Sequence, residues 1–163
     1  MDGRDENKLI LADVVAFNPL RSSQTLTLNK GAKDGVLAGQ AVIITGRILV
    51  GRVSEVLSSS SVIKLITSQE SRLAAKLDRS QSSAIVSGSA SGALILDLVL
   101  KDINISLGEI ILTSGLDENI PPNMLIGEVS KITSQESSSF KKSIVRPFFN
   151  FNNLRQVFIV TTP

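Results

Sequence analysis

The sequence of 163 residues contains neither histidine nor cysteine. Without histidine there can be no Ser-His-Asp or Cys-His nucleophile system and no histidine-ligated metal. Without cysteine, structural zinc sites, iron–sulfur clusters and disulfide frameworks are excluded as well. The composition therefore predicts a protein that is not an enzyme and that holds no metal and no cofactor.

Tryptophan and tyrosine are also absent, and the six phenylalanines are the only aromatic residues. Binding surfaces for single-stranded nucleic acid combine exposed aromatic side chains with a positively charged groove. The net charge is only +2, and lysine and arginine form no dense block. A carbohydrate- or nucleic-acid-binding module is therefore an alternative interpretation with weak support.

Long apolar runs are missing too, since no segment reaches the roughly 20 residues that a membrane-spanning helix requires. Hydrophobic residues still make up 42% of the chain, and the abundant Ile and Val favour strands. Short apolar or alternating segments, from residues 10–17 to residues 156–161, are separated by clusters of Gly, Pro, Asn, Asp and Ser. No window shows a convincing helical period. The pattern predicts an all-β fold of barrels or sandwiches.

One sequence unit occurs twice along the chain. The segment Gly39-Gln-Ala-Val-Ile-Ile-Thr-Gly46 aligns without a gap on Gly108-Glu-Ile-Ile-Leu-Thr-Ser-Gly115. A related string follows each copy, and the second copy carries an insertion at residues 116–122. Each unit predicts a strand, a turn and a second strand that has a glycine near its start, namely Gly51 or Gly127. Glycine there permits a bulge or a tight bend. We predict two six-stranded barrels in tandem, related by internal duplication.

One string matches a catalytic motif. Ser61-Val-Ile-Lys64 has the S-x-x-K spacing of penicillin-interacting serine enzymes, in which the lysine lies one helical turn after the serine. The string enters a predicted strand, where residues three apart point to opposite faces. The companion strings S-D-N and K-T-G are absent. We interpret Ser61 and Lys64 as ordinary strand residues, and a hydrolase of unrecognised type remains an alternative.

Half of the phenylalanines fall within Arg146-Pro-Phe-Phe-Asn-Phe151. Packing of a connection into the core is one explanation, and an exposed apolar patch for a partner protein is the other. Three aromatic residues in an Asn-rich turn cannot easily all point inward, so we expect at least one to be substantially exposed. Phe148, Phe149 and Phe151 are therefore the candidate partner-binding residues.

A series of segments resembles, in order, the extracytoplasmic β domain of the MreC family of rod shape-determining proteins. It opens with Ala12-Asp-Val-Val-Ala-Phe-Asn-Pro19 and Gln24-Thr-Leu-Thr-Leu-Asn-Lys-Gly31. It continues through residues 33–36, 49–53, 65–72, 85–89, 113–116, 126–129 and 145–147. The sequence departs from the family pattern at residues 68–70, where Ser-Gln-Glu stands in place of a frequent Asp-Pro turn.

The resemblance implies a membrane-anchored protein with an N-terminal transmembrane helix and a coiled coil. Two small barrels, similar to the chymotrypsin-like fold but without its catalytic residues, would follow on the extracytoplasmic (periplasmic) side. It also implies a non-catalytic scaffold of the elongasome that positions peptidoglycan synthases and maintains rod cell shape. The implied partners are a class B penicillin-binding transpeptidase, MreD and, indirectly, MreB. Self-assembly into a homodimer or larger form would use the coiled coil, and no nucleic acid partner is implied.

These observations give an expected domain layout. Residues 1–8 would be the end of the coiled coil or linker, residues 9–69 the first barrel and residues 70–163 the second. The sequence leaves open whether the final strand stays in the second barrel or returns to complete the first.

Overall fold

The computed structural model describes residues 8–133 and 139–161 of the chain. Within these ranges there are twelve β-strands, three short 3-10 helices and no α-helix, which confirms the all-β prediction. No helix of the described ranges is long and apolar enough to cross a membrane. The predicted end of a coiled coil or linker lies mostly outside the described residues. The strands are β1 Lys8–Asn18, β2 Thr25–Leu28, β3 Ala41–Ile44, β4 Ile48–Val56, β5 Ser61–Leu65, β6 Arg72–Leu77, β7 Ser83–Gly88, β8 Leu94–Leu100, β9 Ile110–Thr113, β10 Leu125–Thr133, β11 Phe140–Pro147 and β12 Gln156–Thr161.

The strands form two closed barrels of six strands each. In the first barrel the order is β4-β3-β12-β1-β2-β5, closed by pairing of β4 with β5. In the second it is β10-β9-β6-β7-β8-β11, closed by pairing of β10 with β11. Closure leaves neither barrel with a free strand edge. The final strand β12 thus belongs to the first barrel, so the chain crosses between barrels at residues 66–71 and again at residues 148–155.

The two barrels have the same strand order when β12 and β1–β5 are matched in order to β6–β11, and the register of β3–β4–β5 matches that of β9–β10–β11. Both β4 and β10 also carry a bulge at the same point, between Val53 and Glu55 and between Val129 and Lys131. Three residue pairs of the first barrel have counterparts in the second. Val42–Gly51 corresponds to Ile111–Gly127, Arg52–Lys64 to Glu128–Arg146, and Val56–Ser61 to Ile132–Ser143. This equivalence is what internal duplication predicts.

The glycines that flank the repeated unit adopt matching conformations. All four have positive φ, with values of 92° for Gly39 and Gly46, 81° for Gly108 and 86° for Gly115. The Gly39 N–H donates to the Val53 carbonyl at 2.8 Å, and the Gly108 N–H donates to the equivalent Val129 carbonyl at 2.8 Å. Left-handed backbone of this kind is readily adopted by glycine but costs energy for most other residues. The repeated glycines are therefore explained by local backbone geometry in both barrels.

The insertion of the second repeat, residues 116–122, helps to join the barrels. Its Asp117 carboxylate accepts a hydrogen bond from the Ala74 N–H at 2.7 Å, and Ile120 is buried. From the first barrel, the Arg47 guanidinium donates to the Pro122 carbonyl at 3.3 Å. The backbone carbonyl of Arg47 also accepts a hydrogen bond from the Leu125 N–H at 2.9 Å. The two Arg47 bonds connect the end of the insertion and the start of β10 to the turn between β3 and β4, whereas the Asp117 bond holds the insertion to β6 of the second barrel.

A buried serine occupies the same register position in each barrel. Ser61 on β5 and Ser143 on β11 are fully buried, and neither hydroxyl has a hydrogen-bond partner among the described residues. A buried hydroxyl without a partner keeps its desolvation cost, about 1–3 kcal/mol, without compensation. Both barrels therefore contain an uncompensated buried hydroxyl at the same position.

We expect Ser61→Ala and Ser143→Ala each to leave the free energy of unfolding unchanged or to raise it by up to about 1 kcal/mol, because the uncompensated hydroxyl is removed. Urea denaturation of the single variants measures this. Ser54→Ala is the matched control, since the Ser54 hydroxyl is exposed and donates to the Val62 carbonyl at 3.1 Å. A clear loss of stability in both buried variants would contradict the expectation.

Candidate partner-binding surface

The aromatic segment Phe148–Phe151 begins the second crossing between the barrels, directly after β11. Phe149 is buried, with 8% of its surface exposed, and belongs to the hydrophobic core. Phe148 and Phe151 are half-buried. The expectation that at least one of the three is substantially exposed is therefore not confirmed, although only Phe149 is buried. The reason is that the segment lies between two barrels, so apolar surface is available on both of its sides.

The local conformation of this segment depends on Asn150. Its side-chain oxygen accepts a hydrogen bond from the Asn152 N–H at 3.0 Å and so caps the short 3-10 helix Phe151–Asn153. Asparagine favours such turns because its side chain can bond backbone two residues further on. The chain therefore turns at Asn150 and does not continue as a strand, which is why alternation between two faces does not apply to the three phenylalanines.

An aromatic contact links this segment to the first barrel. The rings of Phe17 and Phe151 lie edge to face, with 5.3 Å between their centroids and an interplanar angle of 87°. This geometry is favourable for aromatic pairs. Phe17 is 63% exposed and lies near the end of strand β1, just before Asn18 and Pro19. Phe17 was not among the residues predicted from the sequence, and its place beside an Asn-Pro turn was the only signal that could have indicated it.

Two cavities flank the aromatic segment. One, of about 430 Å³, is lined from the first barrel and its crossing by Pro19, Gln24 and Thr67, and from the second barrel and the segment by Gly92, Arg146, Pro147, Phe149, Asn150, Phe151 and Asn152. We call it the junction cleft. The other, of about 520 Å³, is lined by Phe148, Phe149 and Asn150 together with residues near β12. Phe149 and Asn150 therefore form part of the wall between the cavities.

A pair of buried polar side chains lines the junction cleft. Gln24 and Thr67 are only 3% and 5% exposed, and the Thr67 hydroxyl donates a hydrogen bond to the Gln24 side-chain oxygen. The amide nitrogen of Gln24 has no partner among the described residues. Thr67 thus fixes the orientation of a carboxamide whose N–H groups remain available in the cleft.

The charged residue that lines the cleft, among the described side chains, is Arg146. Its exposed guanidinium donates to the Glu128 carboxylate. The residues of the S-x-x-K string are separated: Ser61 is buried inside the first barrel, whereas the Lys64 ammonium pairs with Glu70 at 2.5 Å. Within the described ranges, no three acidic residues gather as a metal site would require.

Comparison with known proteins identifies the family. The family model described as "Rod shape-determining protein MreC, barrel core" matches residues 14–161, nearly the whole chain. This chain belongs to the MreC family. The register-matched barrels and the crossing that holds the aromatic segment are therefore features of an MreC barrel core.

Several curated relatives have the same description, cell shape-determining protein MreC. The protein of Listeria monocytogenes is 26% identical over 91% of this chain and 52% of its own length. The relative from Cereibacter sphaeroides is 32% identical over 76% of this chain and 39% of its own. That from Bacillus subtilis is 28% identical over 94% of this chain and 57% of its own. The chain thus spans about half the length of the curated relatives it matches.

Solved MreC structures share the fold. The structure of MreC from Listeria monocytogenes superposes with a TM-score of 0.88 at 24% identity, covering 99% of this chain and 79% of that one. MreC from Pseudomonas aeruginosa gives a TM-score of 0.84 at 24% identity, with 94% and 99% covered. A complex between the penicillin-binding protein PBP2 and MreC from Helicobacter pylori contains a chain with a TM-score of 0.73 at 19% identity, covering 95% and 99%.

Proposed function

We propose that this chain is the protein-binding barrel region of a non-catalytic scaffold that positions a class B penicillin-binding transpeptidase and so maintains rod cell shape. The observation that carries the proposal is the Helicobacter pylori complex, in which a chain of the same fold is bound to a penicillin-binding protein. The family description as rod shape-determining supports the same role. The absence of histidine and cysteine agrees with a role that requires no chemistry.

The proposal includes an extracytoplasmic location, the periplasm in a cell with two membranes. It is supported by a solved relative described as the major periplasmic domain of MreC, which has a TM-score of 0.80 over 96% of this chain. Membrane anchoring, self-assembly through a coiled coil, and association with MreD and indirectly with MreB are further parts of the proposal. They rest on the family resemblance alone.

We also propose that the aromatic segment takes part in the contact with the transpeptidase. Phe151 and its exposed partner Phe17 form an apolar surface beside the junction cleft. A few large side chains usually carry most of the energy of a protein interface. Phe149 is buried, so its part in this surface is to support the neighbouring residues from the core. No observation on the described residues favours the carbohydrate-binding, nucleic-acid-binding or hydrolase alternatives.

We expect the purified chain to bind the soluble extracytoplasmic part of the class B transpeptidase from the same organism, saturably and with a dissociation constant of about micromolar or tighter. Isothermal titration calorimetry measures this, and a penicillin-binding protein of another class from the same cell is the control. A flat titration with the class B enzyme would refute the proposal. Turnover of peptide or muropeptide substrates by the pure chain would refute the non-catalytic role.

A further inference from the structure

Two side-chain amide groups line the junction cleft with hydrogen-bond donors that are free within the described ranges, while the oxygen of each already accepts a hydrogen bond. The side-chain oxygen of Gln24 accepts from Thr67, and the side-chain oxygen of Asn150 accepts from the Asn152 N–H. The amide nitrogens of both residues are without a partner among the described residues. An occupant of the cleft must therefore supply hydrogen-bond acceptors.

The acceptors that fit are neutral carbonyl groups and not anions. Among the described side chains, Arg146 is the charged residue that lines the cleft, and its guanidinium donates to Glu128. A phosphate or carboxylate would have to compete with Glu128 for Arg146, and beside Gln24 and Asn150 it would meet neutral amide groups, where burying a charge without a counter-charge is costly. A backbone carbonyl loses little by leaving water for an amide donor, because one hydrogen bond replaces another.

The remaining walls of the cleft are apolar, and their side chains have little freedom to move. Phe149 and Phe151 lie on one side, Pro19 and Pro147 complete the apolar lining, and Thr67 fixes the Gln24 carboxamide. The volume of about 430 Å³ lies within the range of cavities that hold small ligands and peptide segments. Sugar rings fit less well, because their hydroxyl groups are donors as much as acceptors, whereas the side-chain oxygens of Gln24 and Asn150 each already accept one hydrogen bond.

We propose that the junction cleft holds an extended segment of the partner protein, whose backbone carbonyls accept hydrogen bonds from Gln24 and Asn150. An apolar side chain of that segment packs against Phe149 and Phe151. The inference rests on the proposed function, because it names the part of the transpeptidase that the scaffold would contact. It adds Gln24 and Thr67, which have no aromatic character and would not be chosen as interface residues by composition.

The variants that test the proposal are Gln24→Met, Thr67→Val and Phe151→Ala. Gln24→Met removes the amide donors at similar length, and Thr67→Val removes the hydroxyl that orients them at similar volume. We expect Gln24→Met and Phe151→Ala each to raise the dissociation constant for the transpeptidase by about tenfold, as for loss of an interface hot spot. Thr67→Val should raise it less. Leu107→Ala, at a side chain that is 67% exposed and lies outside both the cleft and the insertion, is the control and should change nothing.

A second measurement identifies the occupant. Short overlapping synthetic peptides that cover the extracytoplasmic part of the transpeptidase are titrated into the nitrogen-15-labelled chain and followed by nuclear magnetic resonance. We expect at least one peptide to shift the side-chain amide signals of Gln24 and Asn150. Thermal unfolding of each variant checks that it is folded, and if Gln24→Met does not fold, Thr67→Val and Phe151→Ala decide the question.

The possible results separate the two proposals. Equal binding of the transpeptidase to wild type and to the folded cleft variants would overturn the cleft and leave the proposed function intact. Cleft-dependent binding without a shift of either amide signal by any peptide would overturn the extended segment as occupant. No binding of the transpeptidase to the wild-type chain would overturn the proposed function, and the cleft with it.

Discussion

Replacement of Gly127 or Gly51 by valine should lower the free energy of unfolding by roughly 1–3 kcal/mol in each case, from overpacking. A Cβ atom at Gly127 would lie against the carbonyl oxygen of Arg146, and one at Gly51 would lie against the carbonyl oxygen of Lys64. Both obstacles are backbone atoms of the neighbouring strand. They cannot move away unless the pairing that closes the barrel is disturbed.

Urea denaturation of the four single variants Gly51→Val, Gly127→Val, Glu55→Val and Lys131→Val measures this effect. Glu55 and Lys131 are exposed on the same two strands, at equivalent positions beside the bulges. Valine suits a strand, so these controls should stay within about 0.5 kcal/mol of wild type. Wild-type stability of both glycine variants would show that the barrels close without the need for a bare backbone there.

Replacement of Phe149 by alanine should be the most destabilising change in the aromatic segment, at roughly 3–5 kcal/mol. The ring belongs to the hydrophobic core at the point where the chain crosses from the second barrel to the first. Its removal leaves a cavity. The surrounding strands are held by hydrogen bonds within each barrel, so they cannot move inward to fill it. The larger the residual cavity, the larger the loss of stability.

Phe148→Ala, on the same segment and half-buried, is the matched control and should cost clearly less. Equilibrium unfolding monitored by circular dichroism compares the two. Equal destabilisation would mean that Phe149 has no special place in the core. In binding experiments, Phe149→Ala would remove part of the cleft wall and also lower the stability of the fold, whereas Phe151→Ala tests the contact with a half-buried ring.

The junction between the barrels is the part of the molecule where several features meet. The two crossings, the insertion of the second repeat and the Phe17–Phe151 contact all lie at or beside it. A surface made from both barrels has its shape fixed only when both are folded. A partner that binds there would therefore recognise the assembled pair and not one barrel.

Much of the fold follows from the amino-acid sequence alone. Alternation of apolar residues is a local property, so it predicted short strands along the whole chain, and the repeated glycines mark equivalent left-handed positions on either side of β3 and of β9. The lack of histidine and cysteine excludes, by composition alone, the catalytic and metal chemistry that depends on these two residues. The order of weak motifs was sufficient to indicate the MreC family, which the family model shows.

Only the tertiary structure decided the rest. Strand β12 pairs with β1 across almost the full length of the chain, and no local pattern specifies such a pairing. The same holds for Gln24 with Thr67 and for Phe17 with Phe151, which are distant in sequence and meet only because the barrels close and dock. The burial of Phe149 depends on apolar surface from elements on both sides of it. Strand formation depends on neighbouring residues, whereas the cleft depends on long-range pairings, and that difference separates what the sequence specified from what it left open.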